Sequence, residues 1–361
     1  MEKICVRWSR HIRGGTNFPL SLIVNSILKD NFIFCEKFKK TYIKKYKYFI
    51  YVDMFTENTA NNISIVNEIL LLNENNLNVF YLESNDSPEV KFPQFVKLFK
   101  LWFKKQLYND LNNYLKSFDG GTLYSEFYIK KYSLNDENHY RSKPMDCNDL
   151  NKLDLFWNIL IGPYPIKRFK QSLLRRGIAI FGASYFKLFC PKIFKMNETI
   201  FPKSLFCHGR FSNHKNYSES IGYQRFLLNN EIHKEESVLT GYIRQKDYNR
   251  ELAQCQMALS PFGWGEICHR DAEAIHNKVL LLKPNMDHIK TIPNIYIKDK
   301  MYISLNWDLS NLQQVLYYLK KNSNNIEKIS NEAYNFLKTE TNSFDKFVLS
   351  FYNKIVSYES R

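Results

Sequence analysis

Glu266, Arg270 and Glu273 follow one another at steps of four and three residues, behind a turn that reads Pro-Phe-Gly-Trp-Gly, with His269 and Asp271 between them. A helix starting at Glu266 would carry the two glutamates and the arginine on one face, His269 beside them. Its other face, Cys268, Ala272, Ile275 and Val279, is small and apolar enough to rest on a sheet. Read as a solvated ladder, the charges contribute a few tenths of a kcal/mol per pair, roughly 0.2–0.5. Read as a site, the arginine neutralises an anion and the carboxylates accept hydrogen bonds from hydroxyl groups. Gly263 and Gly265 bracket Trp264, and such a turn lets backbone N–H groups and the positive end of a helix face an anion.

The surrounding elements decide where such a site would sit. From about residue 195 the chain alternates short apolar strands with helices. SLFCHGRF, SVLTGYI, MALSPFG and KVLLLKP read as strands, separated by SIGYQRFLLNNEIH, DYNRELAQCQ and EICHRDAEAIHN. This alternation predicts a parallel sheet covered on both faces, with ligands at the carboxyl ends of its strands. The apolar strand ending at Ser260 places the charged segment at such an end. The first half alternates more loosely. ICVRW, YKYFIYVDMF and NVFYLES read as strands, and the Gly14–Gly15 loop leads to a helix over SLIVNSILKD. Residues 93–117 carry a long helical pattern, and 155–165 a buried segment ending in Gly-Pro-Tyr-Pro.

The 361-residue chain is long enough for two domains. Its 51 Lys+Arg against 36 Asp+Glu, a formal charge of +15, favour anionic partners: nucleic acid, phosphorylated ligands or an anionic membrane surface. Abundant Lys, Asn, Ile, Tyr and Phe assign part of that charge to an AT-rich composition. Seven cysteines without a Cys-x-x-Cys pair indicate neither a disulfide framework nor a zinc site. No apolar run reaches the roughly 18–20 residues needed to span a bilayer, and the expected location is the cytoplasm. The basic, aromatic stretch at 167–190 reads first as a solvated helix leading into a core segment, with peripheral contact to an anionic membrane surface as the alternative. A second basic run, 37–48, reads as an exposed connection. No Asp-x-Asp motif is present to hold a metal on a diphosphate.

The run LSPFGWGEICHRDAEAIHNKVLLLKPNMDHIKTIPNIY, residues 259–296, resembles the donor-binding core of GT-B glycosyltransferases. It is most similar to the bacterial and viral group whose motif reads Ser-Pro-Phe-Gly-Trp-Gly-Glu-x-Cys-x-Arg-Asp-x-Glu; exostosin-type enzymes carry a looser version. LDLFWNILIGPY (153–164) is similar to a segment of the same group. The resemblance covers about 195–335 and is thin over the first 150 residues.

It implies an α/β GT-B fold, two Rossmann-like domains facing a central cleft. The acceptor-side domain would span 1–194 and the nucleotide-sugar domain 195–335. A C-terminal segment, 336–361, would pack back on the first domain. It implies a metal-independent sugar transfer from a nucleotide-sugar, with no separate cofactor, to an acceptor hydroxyl on a surface glycan or lipid-linked saccharide. Gly263, Trp264, Gly265 and Glu266 would line the diphosphate and sugar, Arg270 would contact phosphate directly or through Glu266, and Glu273 would hold the ribose. Ser260, His269 and Asp271 belong to the same donor-binding set. Arg210, Gly241, Tyr242 and Arg244 would frame base and phosphates, and Gly14 and Gly15 an acceptor loop. Six residues separate Glu266 from Glu273, where many retaining members have seven, which leaves the stereochemical outcome open. An inverting enzyme needs a base on the first domain, for which Asp53 and His11 are the candidates, alongside Glu266 as a catalytic carboxylate. The competing reading is a non-catalytic binder of nucleic acid or an anionic membrane.

Overall fold

The computed structural model describes every residue except 10–18, 136–139, 163–167, 195, 197–200, 213, 214, 216 and 359–361. In chain order its strands are β1 Ile4–Arg7, β2 Phe32–Cys35, β3 Tyr48–Val52, β4 Asn78–Glu83, β5 Trp102–Lys104, β6 Gln106–Tyr108 and β7 Leu153–Leu155. They continue as β8 Leu205–His208, β9 Val238–Leu239, β10 Cys255–Leu259, β11 Leu280–Pro284, β12 Ile289–Thr291 and β13 Ile303–Leu305. Two parallel sheets result, ordered β2-β1-β3-β4-β5-β7 and β13-β11-β10-β8-β9. Strands β3 and β11 are buried at every residue, as expected where helices cover both faces. The architecture is therefore α/β, with two Rossmann-like units.

The units are joined by more than the chain. Strand β12, from the second, pairs antiparallel with β6, from the first, matching Ile289 to Tyr108 and Thr291 to Gln106. Asn158 locks the seam by donating from Nδ2 to Thr291 Oγ1 and to the Pro293 carbonyl, both at 2.7 Å. One apolar core runs from β1 through the seam to the helix Asp345–Val356, while a smaller one fills the far face of the second sheet. That last helix crosses back onto the first sheet. Phe351 lies 4.8 Å from Phe103 and 5.5 Å from Trp157 between ring centres, and Tyr352 Oη donates to the Glu2 carbonyl at 2.9 Å.

One expectation is overturned. Residues 93–117 form a 3-10 turn (Pro93–Leu98), β5, β6 and a second 3-10 turn (Leu111–Leu115) rather than a helix. Trp102, Phe103, Lys104, Leu107 and Tyr108 are all buried. An apolar run enclosed on both sides carries no single-face signal, so periodicity alone does not separate strand from helix. The buried Lys104 is compensated by Glu83 at 3.0 Å. No helix of the described residues is long and apolar enough to cross a membrane.

Candidate functional site

A cleft of about 890 Å³ opens at the carboxyl ends of β8 and β9, between the helices Glu219–Ile232, Gln245–Gln254 and His269–His276. Arg210, Gly241, Tyr242, Arg270 and Glu273 all line it. Their environments differ in a way that sequence does not reveal. Arg210 forks onto Glu251, with Nε to Oε1 at 2.6 Å and Nη2 to Oε2 at 3.0 Å, and also donates to the Thr240 carbonyl. Its charge is spent on holding the turn at Gly241, whose φ of +84° suits a residue without a Cβ.

Arg270 has only neutral partners among the described residues. It donates to the Arg210 carbonyl and, at 3.3 Å, to His208 Nδ1, and it lies 5.5 Å from the ring centre of Tyr248. Burial, and then the Arg270 and Arg210 guanidiniums, depress the His208 pKa to about 3. The neutral imidazole therefore accepts from Arg270 through Nδ1 and carries its proton on Nε2, 3.4 Å from Glu251 Oε1. Arg270 is thus a cation lining the cleft with no carboxylate in ion-pair contact among the described residues. Glu273, one helical turn on, accepts from Tyr248 Oη at 3.1 Å.

The glycine turn departs from the expected helix face. The helix begins at His269, not Glu266, because Asp271 takes the Cys268 N–H at 3.1 Å and closes a capping box. Glu266 lies before the helix, fully buried at the seam, accepting from Gln106 Nε2 at 3.0 Å and facing His288 Nε2 at 3.3 Å. It shares no face with Arg270 and Glu273. Asp271 and Ser260 do not line the cleft either. Asp271 is fully buried, paired with Lys283 at 3.1 Å and accepting from Tyr296 Oη at 2.7 Å and Ser260 Oγ at 2.5 Å.

Gly265 has a steric role: a Cβ there would stand 1.7 Å from the Asp86 carbonyl of the first unit. The Gly263 carbonyl accepts from Tyr124 Oη at 2.7 Å, a further bond across the seam. Trp264 is 55% exposed, its ring 5.5 Å from that of Tyr217. His269 is exposed, and Arg244 projects into solvent, where it pairs with Asp247 at 3.1 Å rather than lining the cleft.

On the first unit, Asp53 follows β3 with a left-handed φ of 47°. Its carboxylate accepts from the Ser84 N–H at 2.9 Å and from the Ser84 hydroxyl. Burial raises its pKa to about 6, against the lowering effect of those hydrogen bonds. Ser84 begins the loop whose Asp86 carbonyl rests on Gly265, so Asp53 is one hydrogen bond from the seam. No hydrogen bond or ion pair among the described residues joins it to Arg270 or Glu273. His11, Gly14 and Gly15 lie outside the described residues.

Sequence reasoning passed over Tyr248, His208 and Arg225, whose Nε donates to the Phe262 carbonyl at 2.9 Å while its guanidinium lies 4.5 Å from the Tyr217 ring centre. None belongs to a motif; strand ends and helix faces bring them to the turn.

No protein-family model matches the chain, and no curated protein matches it in sequence. Among solved structures it is similar to HepE from Anabaena in complex with UDP, at 8% identity and a TM-score of 0.46, over 98% of this chain and 100% of that one. A glycosyltransferase from Rickettsia africae gives 8% identity and 0.45, over 99% and 100%. WaaG, a glycosyltransferase of lipopolysaccharide biosynthesis, gives 11% and 0.38, over 98% and 100%. At these scores the assignment of function is left to the site's own chemistry.

Proposed function

We propose that the chain is a GT-B glycosyltransferase, moving a sugar from a nucleotide-sugar to an acceptor hydroxyl on a glycan or lipid-linked saccharide. The observation that carries this reading is Arg270: a cation without a counter-charge among the described residues, held by neutral partners at the strand ends of the second sheet. Such a group stabilises the negative charge that builds on a diphosphate as the bond to the sugar breaks. Glu273, fixed by Tyr248, accepts hydrogen bonds from ribose hydroxyls, and the exposed Trp264 offers an aromatic face to a sugar ring.

On the acceptor side, Asp53 takes the proton of the attacking hydroxyl. The hydroxyl oxygen forms the new bond to the anomeric carbon, and the nucleoside diphosphate leaves with the electron pair of the broken bond. A carboxylate with a pKa near 6 is ionised at neutral pH and more basic than an ordinary one, as a general base requires. Glu266, enclosed at the seam, positions the turn in this reading and does not touch substrate. The sugar nucleotide is the only small molecule the reaction needs.

Calorimetric titration with UDP, GDP, ADP and CMP and their sugar conjugates tests the proposal. At least one is expected to bind the wild-type protein and to lose affinity on Arg270→Ala; binding of none overturns the reading.

A further inference from the structure

Between Asp154 and Glu198 the chain holds eight lysines and arginines and no aspartate or glutamate. Much of this stretch folds as the helix Arg168–Phe189, broken at Gly182 where φ is 63° and ψ −140°. The break turns the second piece back on the first. The Tyr185 ring lies over Gly177, where a Cβ would stand 2.1 Å from it. On an unbroken helix the two residues would be about 12 Å apart along the axis.

Leu174, Ile178 and Phe186 face inward, and Phe186 packs 5.8 Å from Trp8 and 6.3 Å from Phe34, beside the carboxyl ends of β1 and β2. Their neighbours face out. Ile180 is 65% exposed, Phe181 64%, Leu188 78% and Phe189 58%. Phe181, Tyr185 and Phe189 form an aromatic row, with ring centres 5.9 and 4.5 Å apart. Arg175, Arg176, Lys187 and Lys192 are exposed around them.

We propose that this broken helix is a docking surface for an anionic lipid bilayer. Large apolar side chains gathered at one exposed bend gain by entering the boundary between headgroups and acyl chains. Basic side chains on a segment that itself carries no carboxylate gain by meeting anionic phosphates. Both features point to the same occupant. A second copy of the chain would set one cationic rim against another and is disfavoured by the same charge. Docking here would hold the first unit against the membrane through the β1–β2 edge. The inference does not depend on the transferase reading, since neither the surface nor its test involves a sugar nucleotide.

The test is co-sedimentation of the full chain with vesicles of phosphatidylcholine alone or mixed with phosphatidylglycerol. The protein is expected to sediment only with the mixed vesicles, and less as salt rises. Arg175→Gln and Arg176→Gln should each weaken binding about fivefold, and the double variant Phe181→Ser, Leu188→Ser should abolish it with the circular dichroism unchanged. Should that variant fail to fold, Phe181→Trp supplies an independent readout, a blue shift of its emission on anionic vesicles. The proposal is overturned by absence of sedimentation with mixed vesicles, by undiminished binding of the variants, by no blue shift, or by a wild-type dimer in solution that Phe181→Ser dissolves.

Discussion

The carbonyl oxygen of Asp86 lies over the α-carbon of Gly265 so closely that a Cβ would stand 1.7 Å from it. The loop after β4 is thereby seated directly on the turn that leads to Arg270 and Glu273. Together with the β6–β12 pairing and the Tyr124–Gly263 bond, this contact sets how the two units face each other.

Gly265→Ala has no room on the side of the first unit and must separate the loop from the turn. We expect a loss of about 1–3 kcal/mol of stability, read as a lower midpoint in urea, together with weaker nucleotide binding. An alanine variant as stable as wild type would show that the seam is not closed there.

Asp271→Asn should be more damaging than its distance from the cleft suggests. It leaves Lys283 buried without its counter-charge, which costs about 3–5 kcal/mol in comparable pairs. Adding Lys283→Met should recover part of the loss. Denaturation of the single and double variants measures both effects, and equal stability of Asp271→Asn and wild type would contradict the buried pair.

Arg270→Ala and Arg210→Ala should part company. Without Arg270, nucleoside diphosphate affinity should fall by about ten- to hundredfold, the range of a charged hydrogen bond of about 1.5–3 kcal/mol, with the thermal midpoint nearly unchanged. Without Arg210, the Glu251 and Thr240 contacts are lost, so the midpoint should drop as well. Calorimetry paired with thermal unfolding separates the two; a reversed pattern would assign the anion to Arg210.

Asp53 links activity and stability with opposite signs. Its pKa in the fold, about 6, lies above its ordinary value. Its contribution to stability is therefore present below the ordinary pKa and is lost as pH rises through about 6. Asp53→Asn, which keeps an oxygen to accept from Ser84, is expected to unfold at a higher denaturant concentration than wild type at pH 8, and to lose turnover. In the wild type, kcat/KM should fall with acidification through about pH 6. A flat profile there would remove Asp53 as the base.

The alternation of apolar strands with amphipathic helices after residue 195 was enough to read the second sheet, because burial on both faces leaves continuous apolar runs at strand length. The same logic failed over residues 93–117, where burial on every side erased the period that separates helix from strand. The segment 260–273 shows the same division at one site. Residue types and a glycine turn marked it as chemistry-bearing. Its helix, however, starts three residues later than the charge spacing suggested, because Asp271 caps it.

That shift carries Glu266 into the seam, onto Gln106 and His288, residues 160 and 22 positions away in the chain. Which arginine is neutralised was likewise settled by distant groups, Glu251 for Arg210 and a neutral His208 for Arg270. Local sequence determined the strand–helix alternation of the second unit and marked the glycine turn at 263–265. Only the tertiary structure decided which charges are compensated, since a counter-ion is supplied by proximity in space and leaves no mark in spacing along the chain.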